Sequence, residues 1–151
     1  MIKIPLRFID DQIHVKALLD APNYRMRFKP VFFILDTGSP RSFLSEGEAL
    51  RLQFPINTFT ETKGELLRMD GAKYHIFNTK PISLSFRTDQ DQLHKIDFKN
   101  FAFVKSIKNT EEAKIESQNF PSILGVDFFI LNNLFLHLDP KNNDIYIGSK
   151  D

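Results

Sequence analysis

Alternation of apolar and polar residues with a period of two is the feature that most constrains the fold of this chain. The alternating segments are residues 2–8, 13–19, 82–86, 98–103 and 134–138. This period places one face of each segment in a core, as in a half-buried β-strand. Asp10-Asp11 separates the first two segments and predicts a hairpin there, and a slip near Asn100 predicts a bulge in the fourth. Many short strands at close spacing predict an all-β domain with one or two brief helices.

Four further segments add to this pattern. Val31-Phe-Phe-Ile-Leu35 is a continuous apolar run, which is typical of a strand buried on both faces. Ser45 and Glu48 form a capping-box pattern that predicts a short helix through residues 49–52. Asp70-Gly71 is a hairpin turn signal and predicts two strands within residues 64–78. Residues 105–119 are polar and rich in charge, and we expect them to form a surface insertion.

The size and the charge of the chain exclude several classes of function. A length of 151 residues predicts one domain, residues 1–151, with a core rich in Phe. Twenty basic and nineteen acidic residues give a net charge of +1, which favours neither nucleic acid nor an anionic membrane as a partner. The absence of cysteine excludes a disulfide scaffold and a thiolate metal site. Without a signal peptide or an apolar segment of about 20 residues, we expect a cytoplasmic protein.

Asp36-Thr37-Gly38-Ser39 is the segment with the clearest chemistry. A carboxylate that follows an apolar strand is costly to bury unless it is hydrogen-bonded. Gly38 lets the backbone amide approach that carboxylate, and Thr37 and Ser39 supply hydroxyls beside it. The tetrapeptide is therefore compatible with acid–base chemistry, but a strand that ends in an Asx-type turn has the same local sequence.

A second segment, Ser122-Ile-Leu-Gly-Val-Asp-Phe-Phe129, places two apolar residues before a glycine. With Asp36-Thr37-Gly38-Ser39 before it and a hairpin at 64–78 between, the ordered set resembles the retropepsin-like aspartic proteases. The resemblance covers residues 2–148. It implies a closed, all-β acid protease lobe with one or two short helices and a flap hairpin.

The resemblance also implies roles for the residues of the tetrapeptide. Asp36 is expected to be the catalytic carboxylate, and Thr37 to make contacts that lock two active-site loops together. Gly38 is expected to fix the loop and supply its amide. Ser39 is expected to donate a hydrogen bond to the outer carboxylate oxygen.

Other matching residues are expected to support the site or to contact substrate. The strand expected beneath the catalytic loop consists of Ile123, Leu124 and Gly125. Substrate contacts are expected from the flap tip, although its single glycine departs from the glycine-rich flaps of retroviral proteases. These flap residues are Leu67, Arg68, Met69, Asp70 and Gly71. Asp127 is expected to be structural, in helix capping or a salt bridge.

The number of catalytic motifs predicts the assembly. Two adjacent carboxylates that share one proton can activate a water molecule and polarise a carbonyl at once. This chain contains one Asp-Thr-Gly, so the second Asp36 must come from a second copy across a two-fold axis. We therefore expect a homodimer that hydrolyses a peptide or protein substrate without a cofactor or metal. In the family the chain termini often pair at the interface, which makes residues 2–8 and 144–148 candidates for it.

Two other functions share some of these sequence features. The first is a proteolytically inactive retropepsin-like module for dimerisation or peptide binding, which the single-glycine flap favours. The second is the phosphate-binding hairpin of sugar-kinase-like folds, for which the chain is too short. Scattered histidines without a paired spacing do not indicate a metal site, and the serines lack the setting of a serine hydrolase.

Overall fold

The computed structural model describes residues 1–69 and 71–150, and among these the side chains of all but residues 57 and 62–65. Strands dominate this part of the chain. They are β1 Lys3–Pro5, β2 Arg7–Ile9, β3 Gln12–Ala21, β4 Met26–Leu35, β5 Thr60–Met69, β6 Ala72–Asn78, β7 Ile82–Arg87, β8 Leu93–Phe98, β9 Ala102–Ser106, β10 Ser122–Leu124, β11 Leu134–Asp139 and β12 Asp144–Ser149. The α-helices are α1 Glu46–Arg51, α2 Glu111–Asn119 and α3 Val126–Leu131. The all-β prediction is confirmed.

The strands form three sheets rather than one closed barrel. The largest sheet has the order β10-β4-β3-β7-β8, and β2 pairs with β3 beside this path. A second sheet has the order β1-β12-β11, and a third the order β5-β6-β9. The expectation of a closed lobe is wrong in this respect.

The N-terminal hairpin is shorter than the alternation predicts. Strand β2 pairs with the start of β3 around a turn in which Asp10 and Asp11 both have positive φ. Strand β1 instead pairs with β12, where Ile4 lies opposite Ile147. Both of these side chains are buried. Residues 3–5 therefore pair in the second sheet, where the apolar side chain of Ile4 is covered.

Phenylalanine fills much of the core, as the composition indicated. Fully buried side chains include Phe33, Phe86, Phe103 and Phe128. The apolar run in β4 is fully buried on one face, whereas on the other face Ile34 is half-buried and Phe32 is 55% exposed. The prediction of a strand buried on both faces is therefore wrong at Phe32.

The segment predicted as a surface insertion contains a packed helix. Helix α2 is capped at its N-terminus by Thr110, whose hydroxyl accepts a hydrogen bond from the Ala113 amide. Its buried Ser117 donates a hydrogen bond to the buried Glu46 of α1. Helix α1 has the predicted cap, with the Ser45 hydroxyl accepting from the Glu48 amide at 3.1 Å. Together with α3 these make three α-helices in the described part of the chain, where one or two were predicted.

Of two predictions that concern the third sheet, the hairpin is present and the bulged strand is not. The hairpin predicted within residues 64–78 is present as β5 and β6, with Gly71 at a φ of +77° in the turn. The single bulged strand predicted over residues 98–103 is wrong, because β8 and β9 belong to different sheets. The chain crosses between the two sheets here, which accounts for the slip near Asn100. Among the described residues, no helix is both long and apolar enough to span a membrane.

Candidate active site

Strand β4 and strand β10 together carry the loop that contains Asp36. The two strands are parallel and in register, with Leu124 beside Leu35. The Asp36 amide continues the pairing by donating to the Leu124 carbonyl at 3.0 Å. The loop therefore starts from a fixed position, because its first residue is still part of a sheet.

Backbone groups of the loop hold Asp36. The Gly38 amide donates to Oδ1 of Asp36 at 2.9 Å, and the Ser39 amide donates to the Asp36 carbonyl at 3.1 Å. A Cβ on Gly38 would lie 3.1 Å from the same carboxylate oxygen, which is a very tight contact. The glycine therefore permits the short approach on which this hydrogen bond depends.

Asp36 is exposed in the single chain, although the sequence suggested a buried acid. Thr37 and Gly38 are exposed as well. The β4 strand runs outward into the loop, so the carboxylate emerges at the surface rather than in the core. A charged carboxylate can remain hydrated at this position, which removes most of the cost expected for its burial.

The hydrogen bond expected from Ser39 to the carboxylate is not formed. Its hydroxyl donates instead to the Arg41 carbonyl at 2.8 Å, within the same loop. A serine hydroxyl carries one hydrogen, so it cannot donate to Asp36 at the same time. In this chain Ser39 stabilises the shape of the loop.

Gly125 and the start of α3 lie directly against the loop that contains Asp36. A Cβ on Gly125 would lie 2.5 Å from the Ser39 carbonyl oxygen and 2.6 Å from that of Arg41, so no larger residue fits there. The Val126 amide also donates to the Ser39 carbonyl at 2.9 Å. The segment from Ile123 to Gly125 thus lies against the Asp36 loop.

Ser42 joins the loop to α3 through two further hydrogen bonds. Its buried hydroxyl accepts from the Gly125 amide at 2.8 Å and donates to Oδ1 of Asp127 at 2.6 Å. No sequence pattern marks Ser42 as a site residue. Its position just after the tetrapeptide was the only local signal, because both of its partners are more than 80 residues away in the chain.

The flap residues lie on the β5–β6 hairpin. Leu67 and Met69 pack against a small apolar cluster that includes Phe43 and Ile123, whereas Arg68 is exposed. This cluster connects the hairpin to the strand beneath the catalytic loop. Gly71 occupies the turn, where an added Cβ would meet nothing within 4 Å, and Asp70 lies outside the described residues.

The described part of the chain contains no set of side chains that could bind a metal ion. No group of three or more histidine, cysteine or acidic side chains converges there on a position that could hold a metal ion. The group that orients the Asp36 carboxylate is instead the backbone amide of Gly38.

Comparison with solved structures identifies the fold. A retropepsin-like aspartic protease from Rickettsia conorii matches with a TM-score of 0.53 and 16% sequence identity, covering 97% of this chain and 87% of that chain. EIAV protease in complex with the inhibitor HBY-793 matches with a TM-score of 0.52 and 16% identity, covering 87% of this chain and 98% of that chain. No family model and no curated protein matches the sequence. The chain has the retropepsin-like fold that its motifs indicated.

Proposed function

We propose that this chain is an aspartic endopeptidase that acts as a homodimer, with one Asp36 from each copy in a shared site. The whole chain, residues 1–151, forms one lobe of that enzyme. Thr37 contacts the partner's catalytic loop, and Gly38 and Ser39 keep each loop in shape. The substrate is a peptide or protein in the cytoplasm, and the reaction uses no cofactor.

The observation that carries this proposal is the geometry of the Asp36 loop. Its carboxylate is oriented by the Gly38 amide, and the loop is held on β10 and α3 by bonds from several backbone groups. The bond from Gly38 to Asp36 is also formed in an ordinary Asx-type turn, so the support comes from its combination with the anchoring of the loop on β10 and α3. The retropepsin-like fold supports the same interpretation, because it provides the strand and helix on which the loop rests.

Two such carboxylates can carry out the hydrolysis together. Like charges this close do not both ionise, so the pair holds one proton. The ionised Asp36 accepts a proton from a water molecule, whose oxygen attacks the scissile carbonyl carbon, while the protonated Asp36 donates to the carbonyl oxygen. The tetrahedral intermediate then collapses: the Asp36 that took the proton from water donates it to the nitrogen, the other Asp36 takes a proton from one hydroxyl of the intermediate, and the carbon–nitrogen bond breaks.

The β5–β6 hairpin is proposed to cover the bound peptide. Leu67, Arg68, Met69, Asp70 and Gly71 at and near its tip are the proposed substrate contacts. Packing of Leu67 and Met69 against the cluster beneath the catalytic loop supports this role, because it ties the hairpin to the base of the site.

Asp36→Asn tests the proposal. The substitution is nearly isosteric but removes the group that takes and gives the proton, so hydrolysis of a peptide library should be lost while folding and dimerisation persist. Asp11→Asn is a matched control, because Asp11 is exposed in a turn with a φ of 62° that Asn also adopts. The wild-type rate should fall on both sides of an acidic optimum, and a statine-type inhibitor should block it.

The two candidate functions predict different results in this assay. A dimer that binds peptides but hydrolyses none, with or without Asp36, identifies the inactive binding module. Hydrolysis that survives Asp36→Asn contradicts the proposed mechanism.

A further inference from the structure

Helix α3 exposes two large apolar side chains beside the catalytic loop. Ile130 is 72% exposed and Leu131 is 75% exposed, which are the highest values for large apolar residues in the described part of the chain. They are neighbours in the last turn of a helix whose Phe128 is fully buried. Leaving both in water forgoes the favourable free energy of burying them, so the pair marks a candidate contact surface.

An open depression of about 420 Å³ adjoins these two side chains. Its other walls are Thr37, Gly38 and Pro40 from the catalytic loop and Val126 and Asp127 from the first turn of α3. Asp127 is the one charged residue among them, and its carboxylate already accepts the hydrogen bond from the buried hydroxyl described above. We call this depression, together with Ile130 and Leu131, the α3 patch.

The terminal strands are already paired within one chain. Ile4 lies opposite Ile147 in an antiparallel ladder, and the Leu6 and Ser149 amides extend it by donating to the Ile145 and Ile2 carbonyls. An exchange of these strands between two copies would first have to break this ladder. A contact through exposed side chains elsewhere on the surface requires no such rearrangement.

We propose that the α3 patch is the surface through which two copies of this chain associate. This inference rests on the proposed function, because a site with one Asp36 is incomplete until a second copy supplies the other. The patch is continuous with the Asp36 loop through Thr37 and Gly38, so a contact there brings the two loops together. Each copy inserts Ile130 and Leu131 into the depression of the other, which is the self-complementary arrangement that two-fold symmetry requires.

Two lysines in the patch test this contact. Ile130→Lys/Leu131→Lys should leave the fold of the monomer intact, because both side chains are exposed there. The loss of apolar burial and the like charges across the axis should weaken the dimer at least about tenfold in sedimentation experiments. Ile115→Lys/Leu93→Lys is the matched control, since these residues are 53% and 50% exposed on other surfaces and the charge change is the same. A patch variant that dimerises as tightly as wild type overturns the inference.

Cross-linking gives a second test, because the chain has no cysteine. Leu131→Cys should form a covalent dimer with a short bismaleimide, and Ile115→Cys should not. Absence of the Leu131→Cys product, in a protein that sedimentation shows to be dimeric, overturns the inference.

Peptide hydrolysis by the same variants separates this inference from the proposed function. If the patch variant loses both dimerisation and hydrolysis, the result supports both the α3 patch as the dimer contact and the protease function. A wild-type dimer that depends on the patch but hydrolyses nothing supports the patch and contradicts the protease. A patch variant that remains dimeric and active supports the protease and overturns the patch.

Discussion

Backbone hydrogen bonds orient Asp36, the proposed catalytic residue. Its amide is paired with β10, its carbonyl accepts from Ser39, and its carboxylate accepts from Gly38. Three hydrogen bonds with backbone groups therefore fix the residue. The hydroxyl of Ser39 contributes to this loop through Arg41 rather than through the carboxylate.

Ser39→Ala should leave the pH of maximal activity unchanged. The hydroxyl donates to the Arg41 carbonyl, so its removal takes no hydrogen bond from Asp36. The lost bond should lower the free energy of unfolding by about 1 kcal/mol. A pH–rate profile and a urea unfolding curve of both proteins measure the two effects. An upward shift of the optimum would contradict the geometry and restore the contact expected from the resemblance.

At the scale of elements, the site depends on the joint between the catalytic loop, β10 and α3. Gly125 allows the loop to lie directly on this joint, and Ser42 fastens it by accepting from the Gly125 amide and donating to Asp127. The joint brings together two segments that are distant in the chain. Any change that loosens it should move Asp36.

Ser42→Ala should reduce both stability and activity. It leaves the buried Gly125 amide without its partner, which costs about 1–3 kcal/mol, and lets the catalytic loop shift. Ser83→Ala is a matched control, because the buried Ser83 hydroxyl also donates to an aspartate, Asp97, but on β7 and β8. Urea unfolding and peptide hydrolysis of both variants measure the effects. Equal losses of activity in the two variants would contradict a role for Ser42 in holding the loop.

Gly47→Ala should destabilise the protein, although helix propensity predicts the opposite. Alanine in place of glycine within a helix is favourable by about 1 kcal/mol. A Cβ on Gly47, however, would lie 1.8 Å from the Gln118 carbonyl oxygen, so α1 and α2 would have to separate. Overpacking of this kind costs about 1–3 kcal/mol and outweighs the gain. A lower midpoint of thermal unfolding is expected, and a higher one would show that the two helices separate at little cost.

At the scale of the whole molecule, one lobe supplies one Asp36 to the proposed site. Thr37 and Gly38 of the Asp36 loop line the same depression as the two most exposed apolar side chains of the described residues. The terminal strands β1 and β12 meanwhile pair with each other within the chain. Activity of the protease proposed above should therefore depend on the association of two copies.

Mixed dimers should reveal this dependence. When wild type and Asp36→Asn are mixed in equal amounts and exchange freely, about half of all dimers contain one copy of each and are inactive. The rate per wild-type chain should then fall to about half, and further with excess variant. The same excess of Asp11→Asn should raise the total rate. A rate that does not respond to added Asp36→Asn would contradict a shared site.

Local features of this protein were determined by the sequence itself. Period-two alternation predicted the strands, the capping pattern at Ser45 predicted α1, and Asp70-Gly71 predicted the hairpin turn. The order of Asp36-Thr37-Gly38-Ser39 and Ile123-Leu124-Gly125 predicted both the fold and the strand beneath the loop. These features could be predicted because turns, caps and strand periods depend on neighbouring residues.

Tertiary structure alone decided the partners of individual groups. It directed the Ser39 hydroxyl to a carbonyl, made Ser42 part of the site and paired the two terminal strands within one chain. It also placed Asp36 at the surface beside an exposed apolar patch. None of this follows from local patterns, because a hydrogen bond or a buried contact depends on which distant segment packing brings within a few ångströms.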